Sequence, residues 1–428
     1  MSFAGLSFNA LPPITLPFRF FITAPFFMLL CAGLIFTSGE SLWISRWQPP
    51  MLALVHGFTL GFLTMVMLGA LLQLLPVIAG IGMPKPKIFA SLSHGFLTLG
   101  TLSLMLSFAH FHSLLIQAAM VLLTLGLGIY LTALTWVLVK KLSQGDSIMG
   151  FRLAISSLVL VLLLGLALLA RNLGLEWLPT TKQFTNIHAL WGLIGWAGIL
   201  IIAVSFQVIP MFHVAPAFPS IIRRYLAPGI FVSLLLSIVF PTIALPVLSL
   251  LHALFALALL FVIRRRKRKV PDTSIRYWQL AAAALWLSSL LFFIPETIWN
   301  HYLPVDKALL LSALFMYFYL MSIIQGMLLK ILPFLSYTHL QQRCLVDFSA
   351  MQFIPHMHEF LNKKHGQWLY RLHLSSGLLL IFILFQPAYY FAFALALALE
   401  SSWLLIIMMK TMRLYFTVDK KITLATKN

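Results

Sequence analysis

Acidic side chains are nearly missing from this sequence, with 10 Asp and Glu against 29 Lys and Arg in 428 residues. All charged residues together make up 9% of the chain, where soluble proteins carry about a quarter. So few charges cannot cover a water-exposed surface, which excludes a soluble multidomain enzyme. Cysteine is equally scarce: Cys31 and Cys344 are too few for a disulfide scaffold. There is no nucleotide-binding glycine loop, no nucleophile elbow and no zinc-protease helix motif. What is present is apolar material, 61% hydrophobic residues with mean hydropathy +0.98, more than a core could hide. The chain is expected to use lipid as its solvent.

A bilayer core about 30 Å thick needs about 20 apolar residues of helix. Twelve runs meet or approach that length, at 20–38, 51–75, 88–108, 113–139, 153–171, 187–210, 225–241, 244–263, 277–294, 308–332, 369–386 and 388–409. They are numbered here as helices one to twelve. The first has no basic leader and no small-residue cleavage site, so it is expected to be retained. Alternating the runs across the bilayer sorts the basic residues to one side. Of the 29, 25 fall on it, and only Arg46, Arg171, Lys182 and Lys307 lie on the other. The positive-inside rule then places both termini in the cytoplasm of an inner-membrane protein. The formal charge of +19 is thereby explained as topology, with anionic head groups as its partner and no nucleic acid expected. The run Arg264 to Lys269 reads as a stop-transfer anchor on the same terms.

Helices two, six and ten each end in a related phrase, Gln73-Leu74-Leu75-Pro76, Gln207-Val208-Ile209-Pro210 and Lys330-Ile331-Leu332-Pro333. Four helices separate one phrase from the next. The expected fold is therefore all-α: one integral membrane domain, 1–428, of three four-helix units (roughly 17–140, 150–265 and 275–410) with a pseudo-threefold arrangement and a cytoplasmic loop at 334–367.

Histidine inside a membrane helix is uncommon and usually faces the bundle interior. His56 and His188 occupy equivalent places near the outer ends of helices two and six, while helix ten has no counterpart near 311–313. His94 and His373 open helices three and eleven nearer the inner face, which predicts two layers of paired imidazoles. Neutral imidazole binds haem iron or copper, so all four are candidate cofactor ligands, with His56 and His188 the candidate metal pair. Hydrogen bonding to the bundle is the competing role for each. His252 lacks a repeat partner and reads as a packing residue, and His213 as an interfacial one. Glycines 57, 61 and 69, and 192, 195 and 198, suit close helix contact. Glu400 is the clearest intramembrane carboxylate, a candidate proton or ion relay or else a hydrogen-bonded structural group. His339, Cys344, His356, His358 and His365 fit no zinc spacing and suit a solvated loop.

Pro17-Phe18-Arg19-Phe20-Phe21, with His56-Gly57-Phe58 and Gly61 and Gly69 downstream, resembles the start of the NnrS family, membrane proteins associated with haem, copper and nitric-oxide stress. Twelve helices in three units with outer-half histidines on helices two and six resemble the catalytic subunit of haem-copper oxidases. The resemblance implies that His56 matches a low-spin haem ligand and His188 a copper ligand, with an electron-transfer partner. The oxidase histidines of helices seven and ten are absent, so a conventional oxygen reductase is not expected. Whether the chain is an enzyme stays open. A secondary transporter using Glu400, or a non-catalytic assembly or scaffold protein, are the alternatives.

Overall fold

The computed structural model describes residues 12–79, 82–110, 112–140, 145–175, 181–345 and 347–425; of the basic residues above, Lys141 and Lys427 lie outside them. Among the described residues the regular structure is helical throughout. Helix one is Thr15–Ser38, helices three to five are Pro86–His110, Ser113–Lys140 and Asp146–Asn172, and helices seven to nine are Ser220–Leu236, Pro241–Arg264 and Thr273–Phe292. Helices eleven and twelve are Lys363–Phe385 and Tyr390–Ala425. Helix starts follow ordinary chemistry. Pro49 and Pro241 sit at first-turn positions, where a missing N–H costs nothing. The side chains of Asp272, Asp306 and Asn362 accept from the backbone N–H of Ser274, Leu309 and Lys364.

Among the described residues, ten helical segments are long and apolar enough to cross a membrane, or eleven if the pair Thr273–Phe292 and Glu296–Tyr302, bent by 107°, counts as one span. The expected twelve is thus an overcount by that measure. Helix seven is 17 residues long, and after Leu236 the chain turns before Pro241 opens the next helix. Side chains such as Leu99, Val121, Leu163, Leu250 and Leu395 remain exposed on the outside of the bundle, the surface that lipid would cover.

Helices two, six and ten are the central ones. Between 61% and 78% of each apolar window is buried, against 33–50% for the surrounding spans, so their apolar residues pack protein while the others divide between protein and lipid. Each contains an eight-residue π-helical stretch: Gly57–Thr64 between Pro49–His56 and Met65–Ala79, Trp191–Gly198 between Thr181–Leu190 and Ile199–His213, and Leu314–Met321 between Lys307–Ala313 and Ser322–Arg343. Each stretch ends twelve residues before the proline of its phrase, Pro76, Pro210 or Pro333. The prolines do not end these helices. Pro210 and Pro333 lie inside them, and residues 334–343, read from sequence as the start of a loop, continue helix ten to Arg343.

The same register governs what the three central helices enclose. Val66, Leu200 and Ile323 precede their prolines by ten residues, and Ala70, Val204 and Met327 by six. All six line a single apolar cavity of about 110 Å³ between the helices. Helix packing around it needs small residues. A β-carbon on Gly61 would lie 2.2 Å from the ring of Phe27, and one on Gly69 2.8 Å from Phe20, so both glycines admit helix one.

Candidate functional site

His56 ends the α-helical turn before the first π-helical stretch, and His188 lies three residues before the second. A π-helical stretch widens the turn and re-aims the side chains beside it, a device frequent at functional sites. The two imidazoles meet between helices two and six, with ring centroids 6.1 Å apart and planes inclined by 27°. The Nδ1 of His56 lies 2.7 Å from the Leu52 carbonyl and donates to it as the neutral ring, which leaves Nε2 as a free lone-pair donor. The Nδ1 of His188 is buried without a hydrogen bond of good geometry, although the Val161 backbone lies close enough to act on the ring. Phe108 stacks against His56 at 5.4 Å, and Gly165 makes room for the His188 ring, whose Cε1 would lie 3.1 Å from an added β-carbon.

Helices one, two, six, ten, eleven and twelve border a second cavity, of about 210 Å³, towards the same end of the bundle. Leu52, Val55, Thr185 and Ala189, neighbours of the two histidines, form one wall, and Tyr317 and Leu397 another. Arg46 also lines it and bonds the side chain of Asn186.

Beyond Tyr317 lies a buried polar constellation. Glu400 on helix twelve is fully buried, and three groups donate to it: the Tyr317 hydroxyl at 2.5 Å on Oε2, and Gln325 Nε2 at 2.6 Å and His373 Nδ1 at 2.8 Å on Oε1. His373 is also fully buried, its Nε2 2.7 Å from the Ser322 hydroxyl and its ring stacked on Tyr317 at 4.7 Å. Tyr277 on helix nine closes the set by donating to Gln325 Oε1 at 2.9 Å. Ser322, His373 and Glu400 are connected in the order of a nucleophile, base and carboxylate triad. All three are sealed from solvent and line none of the described cavities, so the order serves hydrogen bonding, not hydrolysis.

The four candidate histidines therefore divide unevenly. His56 and His188 come together. His94 lies 2.8 Å from the Thr23 hydroxyl and against Phe20, whereas His373, with both ring nitrogens engaged, belongs to Glu400. Their side chains therefore meet different partners and do not make the expected second imidazole pair. His252 bonds the Leu248 carbonyl, and its buried Nε2 is unpartnered beside Gly198 and Phe315. His339 bonds Gln73 from the extended end of helix ten, and Cys344 is buried. Tyr317, Ser322, Gln325 and Tyr277 had no place in the sequence reading. Gln325, an amide within the apolar run Met321 to Leu329, is the sequence signal that could have found them.

At the basic end, Asp272 lies 2.6 Å from Lys330 Nζ and 3.6 Å from His213. Burial would raise its carboxyl, but the His213 imidazole and the Lys330 ammonium outweigh that and hold it well below the usual carboxylate range.

Among the described residues, no three His, Cys, Asp or Glu side chains converge into a metal-binding group. Two imidazoles, one with a free Nε2 and one with an orphaned buried Nδ1, are still a donor set that suits copper or haem iron. Copper would need only those two nitrogens and small outer ligands. A haem macrocycle would need more room than the adjoining cavity of about 210 Å³, because sites for ligands of that size run to about 300–1,000 Å³. No protein-family model and no curated protein matches the chain. What the sequence and fold together establish is a multi-pass, all-α membrane protein.

Proposed function

We propose that this protein is a redox-active inner-membrane protein with the haem-copper oxidase and NnrS architecture, holding copper, or haem after local rearrangement, on His56 and His188. The shared register of the three π-helical stretches and of the lining of the central cavity supports three four-helix units about a pseudo-threefold axis. The asymmetry of basic residues supports cytoplasmic termini and contact with anionic head groups. The observation that carries the cofactor reading is the pairing of His56 and His188 at 6.1 Å with one buried ring nitrogen unpartnered. Nature rarely leaves such an atom without a partner, and a ligand supplies one. When bound, the metal supplies one-electron redox chemistry, fed by an electron-transfer partner. The residues of this chain orient it: Leu52 fixes the His56 tautomer, and Phe108 and Gly165 set the ring positions.

Elemental analysis and an optical spectrum of protein expressed with ample copper and haem test this reading. Stoichiometric metal or a Soret band, lost in the His56→Ala, His188→Ala double variant, is the expected result. Folded wild-type protein with neither would overturn it. A periplasmic reporter fused after residue 270 should be inactive, and activity there would reverse the orientation.

A second reading, ion-coupled transport, is favoured by one observation, the sealed carboxylate of Glu400 with its three donors. Proteoliposome flux indifferent to Glu400→Gln counts against it.

A further inference from the structure

The hydrogen inventory around Glu400 does not close on a single protonation state. The Tyr317 hydroxyl has one hydrogen and two acceptors, Glu400 Oε2 at 2.5 Å and the His373 carbonyl at 3.1 Å. When that hydrogen turns to the carbonyl, the 2.5 Å contact is kept only if Oε2 carries a proton of its own. The Ser322 hydroxyl has the same freedom, donating to a neutral His373 Nε2 or accepting from Nε2–H. An additional proton thus fits at either Oε2 or Nε2 by rotation of a hydroxyl, with no heavy atom displaced.

The carboxylate and the imidazole are bonded to one another, so an added proton belongs to the pair rather than to either group. The groups facing the pair are Tyr317, Ser322 and Gln325 from helix ten, Tyr277 from helix nine, and, on the His373 helix, Ser376 beside the Tyr317 hydroxyl and Tyr370 against Tyr277. Arg19, the one charged residue of the first helix, is bonded to Ser91. Among the described residues, the partners of Glu400 and His373 include no Lys, Arg or second carboxylate.

Access lies on one side. Tyr317, 5% exposed, separates Glu400 from the cavity of about 210 Å³. That space is large enough for water, and although most of its lining is apolar, Arg46, Thr185 and Ser312 are polar groups that water could meet there.

We propose that Glu400 and His373 form a proton-binding site that loads and unloads one proton through the Tyr317 hydroxyl from water in that cavity. A hydronium at the cavity gives its proton to the Tyr317 oxygen while the phenolic hydrogen passes to Glu400 Oε2. The water is released, Tyr317 ends neutral, and unloading reverses each transfer. Tyr317 and Ser322 are positioning and relay groups, and Glu400 with His373 holds the proton. This inference does not depend on a metal at His56 and His188.

The test is a pH-jump infrared measurement on the full chain in lipid nanodiscs, between about pH 5 and about pH 9, with glutamate carboxyls isotopically labelled. Only Glu40, Glu176, Glu296, Glu359 and Glu400 carry the label. The expected result is a labelled carboxyl signal that is lost in Glu400→Gln, and that persists in Tyr317→Phe but responds at least about tenfold more slowly, the scale of losing a positioned proton-transfer group. Identical spectra for wild type and Glu400→Gln would overturn the site, and an unslowed Tyr317→Phe would overturn the route. Should Glu400→Gln fail to fold, the labelled band of wild type against Tyr317→Phe decides. A band position and rate unchanged by loss of the hydroxyl would overturn the proposal.

Discussion

The two polar sites on either side of the cavity of about 210 Å³ are built on opposite plans. At His56 and His188, two imidazoles face one another with few protein partners, and one buried nitrogen has none. At Glu400 and His373, both carboxylate oxygens and both ring nitrogens are taken by protein groups. Satisfied polar atoms in a low-dielectric interior rigidify the structure that holds them, whereas an orphaned one invites an exogenous partner. The first site is thus suited to binding something the chain lacks, and the second to holding what the chain already has, a proton. Stability should separate them most sharply. Glu400→Leu leaves His373, Gln325 and Tyr317 without their common acceptor and should cost about 3–5 kcal/mol. His188→Leu, which removes a ring already short of a partner, should cost about 1 kcal/mol or less. Denaturant unfolding of both variants in the same detergent is the measurement, and equal losses would erase the contrast.

Ligand response is the next largest difference. Copper at one hundred times its dissociation constant should stabilise the wild type by about 2.7 kcal/mol. That gain should vanish in the His56→Ala, His188→Ala double variant and survive Glu400→Gln. A thermal shift that followed Glu400 would place the metal in the wrong site.

Much of this contrast was legible in the sequence and part of it was not. Glu400 stood out because a carboxylate within an apolar run has few roles open to it, and His56 and His188 because their spacing from Pro76 and Pro210 is nearly equal. His373 was matched with His94 on the same logic, yet its helix is turned towards Glu400. A hydrophobic run fixes where a helix lies along its axis, whereas its rotation is set by neighbours, here the Tyr317 ring stacked on the imidazole. The π-helical stretches have no common sequence mark. Gly57–Thr64 contains two glycines and Leu314–Met321 none, so their matching register emerges only from backbone geometry.

The wall between the histidine pair and helix one is expected to be structural, which Gly61 can sharpen. Its missing β-carbon would lie 2.2–2.6 Å from three carbons of Phe27, including Cβ, a ring and stem with little freedom. Gly61→Ala should therefore cost about 1–3 kcal/mol through overpacking. Copper affinity per folded molecule should be unchanged, measured by metal titration of the surviving protein. A selective loss of copper would show that the glycine admits a ligand as well as a helix.

The smallest effect belongs to the cluster at the basic end, which supplies a solvent-facing control for the buried carboxylate. Asp272 is partly exposed, and its carboxyl is held below the usual range by His213 and Lys330 against the opposing pull of burial. A depressed folded value means that the folded state binds a proton less readily than the unfolded chain. The contribution of Asp272 is therefore fully present above its unfolded value of about 3.9 and is lost as pH falls towards the folded one. Lys330→Met removes one of the charges that holds the carboxyl down, so the acid limb of a melting-temperature profile should flatten below about pH 4. The Lys330→Met difference from wild type should then be nearly constant from about pH 5 upward, since Asp272 is ionised in both states there. Screening at this exposed edge keeps the effect modest, and salt should shrink it further. The stability lost in Glu400→Gln, a site sealed from ions, should by contrast be unchanged by salt, so a salt-sensitive loss there would mean that the two carboxylates are less different than their burial implies.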